Sequence, residues 1–224
     1  MGAMNIIVKN FGVVDYASTF ESMKHHCDAR ASGDPDEIWL VEHPSVYTQG
    51  VSGKAEHIRQ VIDIPVVQTN RGGQVTYHGP GQIVAYPLID LRRLNIFVKE
   101  YVYRLEEAVI KTLLHFDITG HRIASAPGVY VNLEDPFGNS VPRWPQKNIF
   151  DGFGKIAALG IKVSRHVAYH GLSLNVDMDL RPFDNIHPCG YQQLRVVAMS
   201  QFGARRSVDD VRHVLGRKLS TYLS

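Results

Sequence analysis

The sequence predicts an α/β fold of the α+β type, a mixed β-sheet flanked by helices. Apolar runs of strand length outnumber the long amphipathic segments. Those segments fall at the start, middle and end of the chain instead of alternating regularly with strands. No internal repeat, low-complexity tract or linker divides the 224 residues, so one domain over residues 1–224 is the economical reading. Within it, Met1-Gly2-Ala3-Met4 reads as a cloning scar (residues 1–3) ahead of a native Met4.

The elements follow in order. Asn5 to Gly12 opens on Ile6-Ile7-Val8, a strand. Asp15 is placed to cap a helix on which Tyr16, Phe20, Met23 and Cys27 recur at helical spacing. Ser32-Gly33-Asp34-Pro35 ends it, and Glu37 to Val41 reads as the next strand. Val61 to Thr69 and Ile83 to Leu88 are further strands, before a clear helical stripe of Val98, Val102, Leu105, Val109 and Leu113. Gly128 to Val131 is a short strand. The stretch up to Gly154, with Pro136, Pro142 and Pro145, is a surface loop. Lys155 to Val163 and Gly171 to Val176 are strands. Ser207 caps a last helix, with Asp210 as its capping-box acid and Val208, Val211, Leu215, Leu219 and Tyr222 on one face.

Composition narrows the function classes. With 44% hydrophobic and 21% charged residues, the chain has the balance of an ordinary globular protein. Twenty-four basic and 22 acidic residues leave a net charge of +2, without the basic excess of a nucleic-acid binder. The pairs Arg92-Arg93 and Arg205-Arg206 are too short to argue otherwise and read as solvated surface. No apolar run approaches the eighteen or so residues that cross a bilayer. Two cysteines far apart, Cys27 and Cys189, make no disulfide framework, and no secretory signal is visible. A reducing, cytoplasmic location follows as an expectation, without a nucleic-acid or membrane partner.

Four segments stand out. Arg71-Gly72-Gly73-Gln74-Val75-Thr76-Tyr77-His78-Gly79-Pro80-Gly81-Gln82 holds four glycines and a proline beside several polar tips. Glycine lets backbone approach a ligand closely. The stretch reads as a wall of amides and polar tips, with an elaborate hairpin connection as the plainer alternative. It is neither a dinucleotide fingerprint nor a P-loop. His187-Pro188-Cys189-Gly190 displays a thiol in a sharp turn, a candidate nucleophile or an incidental loop cysteine. A metal site joining His187 and Cys189 to His78 or His170 matches no closed zinc spacing. Cys27, on a helical stripe, is a core residue. Lys155 opens a small, apolar strand in which alternation groups it with Ala157 and Leu159. A lysine there either snorkels outward or is desolvated, and pattern alone does not rank it above Lys162. His170, ahead of Gly171-Leu172-Ser173, reads as a base or as a hydrogen-bonded structural histidine.

Together these blocks resemble the octanoyltransferases of lipoate biosynthesis. The resemblance runs through Glu42-His43-Pro44, Tyr47-Thr48-Gln49-Gly50, Arg71 to Gln82, Gly128-Val129-Tyr130-Val131, Lys155 to Ile161, His170 to Val176 and Phe183 to Gly190. It departs in a longer stretch from Asn132 to Gly154, and in Met199-Ser200 where the family usually has Thr-Ser.

The resemblance implies a catalytic domain with the fold of the biotin and lipoate protein ligases. It implies Cys189 as acyl-thioester nucleophile and Lys155 as its partner. Arg71, Gly72, Gly73, Gln74, Val75, Thr76, Tyr77 and His78, with Ala158, Leu159, Gly160, Gly171, Leu172 and Ser173, would line the substrate pocket. The donor implied is octanoyl-acyl carrier protein. The acceptors are lipoyl domains of 2-oxoacid dehydrogenase E2 subunits and the glycine-cleavage H protein. No cofactor or metal is implied. An ammonium near a thiol favours the thiolate, which suits this pairing. An ATP-dependent lipoate or biotin protein ligase is the alternative, and it has no need of Cys189.

Overall fold

The computed structural model describes residues 6–31, 33–59, 63–140, 148–186, 194–203 and 206–224. In chain order its strands are β1 (Ile6–Val13), β2 (Asp36–Glu42), β3 (Val46–Gln49), β4 (Val66–Gln68), β5 (Val75–His78), β6 (Gln82–Asp90), β7 (His121–Ile123), β8 (Ala126–Asn132), β9 (Phe153–Ser164), β10 (Val167–Asn175) and β11 (Arg195–Val196). The helices are α1 (Tyr16–Ala29), a short α2 (Leu91–Leu94), α3 (Val98–His115) and α4 (Val208–Leu223). None of them is long and apolar enough to cross a membrane.

A main sheet runs β1-β2-β6-β10-β9-β8-β7, with β11 added beside β9, and a smaller sheet runs β4-β3-β5. The main sheet is mixed: β1 pairs β2 in parallel, and β2–β6, β6–β10, β10–β9 and β9–β8 are antiparallel. Its central strands are buried on both faces, which explains apolar runs where a half-exposed strand would alternate. Ile38 and Leu40 of β2, with Ile83, Ala85 and Ile89 of β6, face the core beneath α3 and α4. Trp39 and Val41, with Val84, Tyr86 and Leu88, face α1 through Tyr16, Phe20 and Met23.

The helix ends match the sequence signals. Asp15 Oδ1 accepts from Ser18 N at 2.9 Å, and Ser207 Oγ accepts from Asp210 N at 3.4 Å. Cys27 is half-buried against the α1 core.

Some boundaries differ from the pattern. The strand expected from Val61 to Thr69 holds only Val66–Gln68 among its described residues. Pro65 lacks an amide proton, and Asp63 has φ +29°. β10 begins at Val167, four residues before Gly171, because Arg165 and His166 form the two-residue turn from β9 with φ +49° and +70°. Such turns favour Asn-Gly, so Arg-His gives no signal. The short β3, β5 and β7 have no counterpart in the apolar pattern.

Candidate active site

The glycine-rich stretch is half loop, half strand. Residues 71–74 form a loop, and β5 follows. Arg71 is buried and anchors the loop. Its Nη2 donates to Thr48 O (2.7 Å), Thr48 Oγ1 (2.9 Å) and Gln74 O (2.7 Å), and Nη1 donates to Gly72 O (2.9 Å). Thr48 lies on β3, so the guanidinium fastens the loop to the smaller sheet. The loop also touches the main sheet, where Gly72 N donates to Ile161 O at 2.9 Å. A Cβ on Gly160 would lie 2.9 Å from Gly72 O, so glycine permits this approach.

Under the loop lies a narrow cavity of about 50 Å³, partly open to solvent. Its walls include Arg71, Gly73, Gln74, Val75, Thr76 and His78 from the glycine-rich stretch, Ala158 to Gly160 from β9, and Gly171 to Ser173 from β10. The glycine-rich stretch and the β9–β10 hairpin, distant in sequence, thus meet at one cavity. Tyr77 does not line it. Its ring packs against Tyr47 and Phe183 on the other face of the smaller sheet, and its hydroxyl bonds Ser45 Oγ at 2.9 Å. Tyr16, Val84 and Tyr86 close the cavity from α1 and β6. The sequence reading missed these three, because their signal is only that of core residues.

Two buried histidines complete the wall. His78 Nδ1 donates to Gln82 Oε1 at 2.7 Å, while Gln82 Nε2 donates to Asn175 Oδ1 at 2.9 Å. Burial pushes the His78 imidazole down to about 3, and burial with the nearby Arg71 charge does the same to His170. Both are neutral at pH 7 and weak bases. His170 has φ +58°, a strained value for a side-chain-bearing residue. Its even-numbered neighbours Ala168, Leu172 and Leu174 face α3 and α4, yet its ring stacks on Phe20 of α1 at 5.1 Å. The left-handed backbone thus turns this ring out of alternation. His170 Nε2 is bonded to Asn70 Oδ1 at 2.8 Å, and these contacts fit the structural reading of this histidine.

A second cavity, of about 320 Å³, shares Gly73, Gln74, Leu159 and Gly160 with the first and adds Gly72, Ala126, Pro127, Tyr130 and Lys155. Here the two lysines separate: Lys162 is exposed, whereas Lys155 is 6% exposed. Lys155 Nζ donates to Pro127 O at 3.1 Å and lies 5.5 Å from the centre of the Tyr130 ring. Gly128, with φ +140°, makes room: a Cβ there would stand 2.6 Å from Lys155 Cε. Strict alternation also fails beside Lys155. Val129 pairs Ala157 but Tyr130 pairs Lys155, so β9 carries one residue more than β8.

Cys189 lies outside the described residues, as do His187, Pro188 and Gly190. On its two sides, the chain is fixed at Ile186, which bridges Ile58, and at β11, where Val196 pairs Lys155. Val197 N then donates to Lys155 O at 3.0 Å. Met199 is fully buried in the main core.

A profile of the lipoyl protein ligase A/B catalytic domain matches residues 15–220. An octanoyltransferase of Methylibium petroleiphilum is 59% identical over 218 residues, covering 96% of this chain and 97% of its own. One from Polaromonas naphthalenivorans is 55% identical over 223 residues, covering 99% and 100%. The chain belongs to the octanoyltransferases. It is an acyltransferase enzyme, and its chemistry is acyl transfer related to lipoylation. The fold agrees: a bi-partite lipoate protein ligase from Thermoplasma acidophilum superposes with a TM-score of 0.69 at 15% identity, covering 98% of this chain and 84% of its own. At that identity the likeness concerns the fold alone. For this octanoyltransferase-family chain the expected mixed sheet with flanking helices, and its kinship with the lipoate ligases, are both borne out.

Proposed function

We propose that this chain moves an octanoyl (or lipoyl) group from acyl carrier protein to a specific lysine of the lipoyl domains of 2-oxoacid dehydrogenase E2 subunits and of the glycine-cleavage H protein. The group passes through a thioester on Cys189, in the cytoplasm, and residues 1–224 act as one catalytic domain. The acyl chain lies in the cavity walled by Arg71, Gly73 to Thr76, His78, Ala158 to Gly160 and Gly171 to Ser173.

One observation carries this reading. A buried ammonium, Lys155, lines a cavity that shares Gly73, Gln74, Leu159 and Gly160 with the proposed acyl cavity, at the point where the chain leading from Cys189 rejoins the sheet. An ammonium there favours a thiolate over a thiol. The thiolate attacks the donor's thioester carbonyl, a new C–S bond forms, and the bond to the donor's sulfur breaks. That sulfur leaves as a thiolate and takes up the proton that Cys189 gave up. One thioester replaces another, so the step needs no ATP. The acceptor's ε-amine then attacks the Cys189 thioester. The C–N bond forms, the C–S bond breaks, and the proton lost by the amine passes through Lys155 to the cysteine sulfur. Backbone amides of the glycine-rich loop or of Gly190 are the candidate donors to the oxyanion.

The test is intact-protein mass spectrometry after mixing with octanoyl carrier protein, with chelator and a nucleotide-removing enzyme present. One octanoyl unit should appear, be released by hydroxylamine, map to Cys189 and be absent from Cys189→Ser. Cys27 should stay unmodified, since burial pushes its thiol up to about 11. An adduct on Cys27 would sink the assignment. Transfer that stops without ATP and returns with it would favour the ligase chemistry.

A further inference from the structure

Glu106 sits on the apolar stripe of α3, four residues after Val102 and three before Val109, and is 7% exposed. A carboxylate is costly there unless its oxygens are bonded. Both are: Oε1 accepts from Gly128 N at 3.0 Å, and Oε2 accepts from Arg122 Nε at 3.0 Å. Arg122 also holds Glu107 at 2.8 Å and lies 4.0 Å over the Tyr103 ring. The mechanism above uses none of these groups.

Gly128 N and Pro127 O belong to one peptide unit. The N–H end of that unit points at the Glu106 carboxylate, and the C=O end receives the Lys155 ammonium at 3.1 Å. A trans peptide directs these two bonds to opposite sides of a rigid plane. The carboxylate thus fixes the plane, and the plane fixes the carbonyl. Both bonds involve a charged partner, and each polarises the peptide in the sense that strengthens the other. Gly128 adds space, because any side chain there would displace the lysine.

We infer that Glu106 is a positioning residue for acyl transfer: through the Pro127–Gly128 peptide it sets where the Lys155 ammonium stands. An ammonium has three donors. Fixing one on Pro127 O sets the directions of the other two, and so the face that Lys155 presents to the reacting atoms. This rests on the reading that Lys155 supports the Cys189 thiolate. A carboxylate that only tied α3 to β8 would serve stability alone, and the two roles separate by experiment.

The measurement is the rate of Cys189 alkylation by iodoacetamide as a function of pH, beside octanoyl transfer kinetics and thermal unfolding. The proteins are wild type, Glu106→Ala, Glu106→Asp, Glu106→Gln, Lys155→Met and Lys155→Met/Glu106→Ala. Glu106→Ala should slow alkylation near neutral pH by about tenfold, the size of one charge-assisted hydrogen bond, and lower kcat with KM little changed. Glu106→Asp is one methylene too short to reach Gly128 N and should behave alike, which keeps the test open if the alanine variant is poorly folded. Glu106→Gln should recover most of the rate, since its amide oxygen still accepts from Gly128 while Arg122 keeps Glu107. In the Lys155→Met background, Glu106→Ala should change alkylation less than about twofold, because coupled residues are not additive. Wild-type alkylation and kcat in both Glu106→Ala and Glu106→Asp would overturn the inference, as would an equal effect with and without Lys155. If Lys155→Met alone leaves alkylation unchanged, the fault lies in the reading of Lys155 instead.

Discussion

Alanine at position 128 would place its Cβ 2.6 Å from Lys155 Cε, 2.9 Å from Ala157 O and 3.1 Å from Lys155 Nζ. The Ala157 carbonyl belongs to β9, whose register with β8 is fixed by the Val129–Ala157 pair, so the lysine is the side that must yield. The backbone contributes separately: φ +140° suits glycine and costs about 1–3 kcal/mol for a residue with a side chain. In a chain of this length that corresponds to a fall in Tm of roughly 2–12 °C. On the role proposed for Lys155, the displaced ammonium matters more for turnover. Misplacing a reacting group by about 1 Å can cost on the order of a hundredfold in rate, so kcat for Gly128→Ala should fall by about that factor in a protein that still folds. Gly12→Ala is the matched control, because Gly12 also has positive φ (+65°) but nothing within 4 Å of its Cβ position. It should lose stability through the backbone alone and keep its turnover. The assays are octanoyl transfer under saturating donor and differential scanning calorimetry. If Gly128→Ala turns over within twofold of wild type, or loses no more than Gly12→Ala, the position of Lys155 is not what the transfer depends on.

Two further outcomes bear on the cavity wall. Arg71→Lys exchanges a fork bonded to Thr48, Gly72 and Gln74 for a single ammonium, and should cost about 2–3 kcal/mol in urea unfolding; a change below about 0.5 kcal/mol, the range of an ordinary surface substitution, would show that the guanidinium does not hold the loop. His78 and His170 refuse protons in the native state down to about pH 3, whereas the unfolded chain accepts them near the ordinary value of about 6.5. Their contribution is therefore complete above about pH 6.5 and is lost as pH falls toward 3, by about 1.4 kcal/mol per pH unit for each ring. His78→Gln should halve the part of the slope due to this pair between pH 6.5 and 5, and a slope unchanged by it would contradict the assigned burial.

The sequence spoke most clearly where one physical signal acted alone. The capped starts of α1 and α4 and the stripe of α3 were legible because side-chain oxygens and a helical period act locally. The same held for β2 and β6, whose apolar runs reflect burial on both faces. The residues brought to one cavity were legible only as separate blocks. No local rule tells that Gly72 will lie on Gly160, or that His170 will turn its ring against alternation. Lys155 and Lys162 were equivalent in pattern, and the extra residue of β9 beside Lys155 depends on pairing with β8. Glu106 left a trace that could have been read, a carboxylate within an apolar helical stripe. Gly128, a glycine inside a strand, left another.

The glycine-rich loop covers the cavity while bonded to both sheets, through Gly72 to Ile161 and through Arg71 to Thr48. A cover fastened on both sides does not behave as a hinged flap. Its amides should exchange with solvent deuterium on the timescale of the strands beneath it, as one cooperative unit. The ordering entropy of the wall is settled at folding and is not charged again at each binding event.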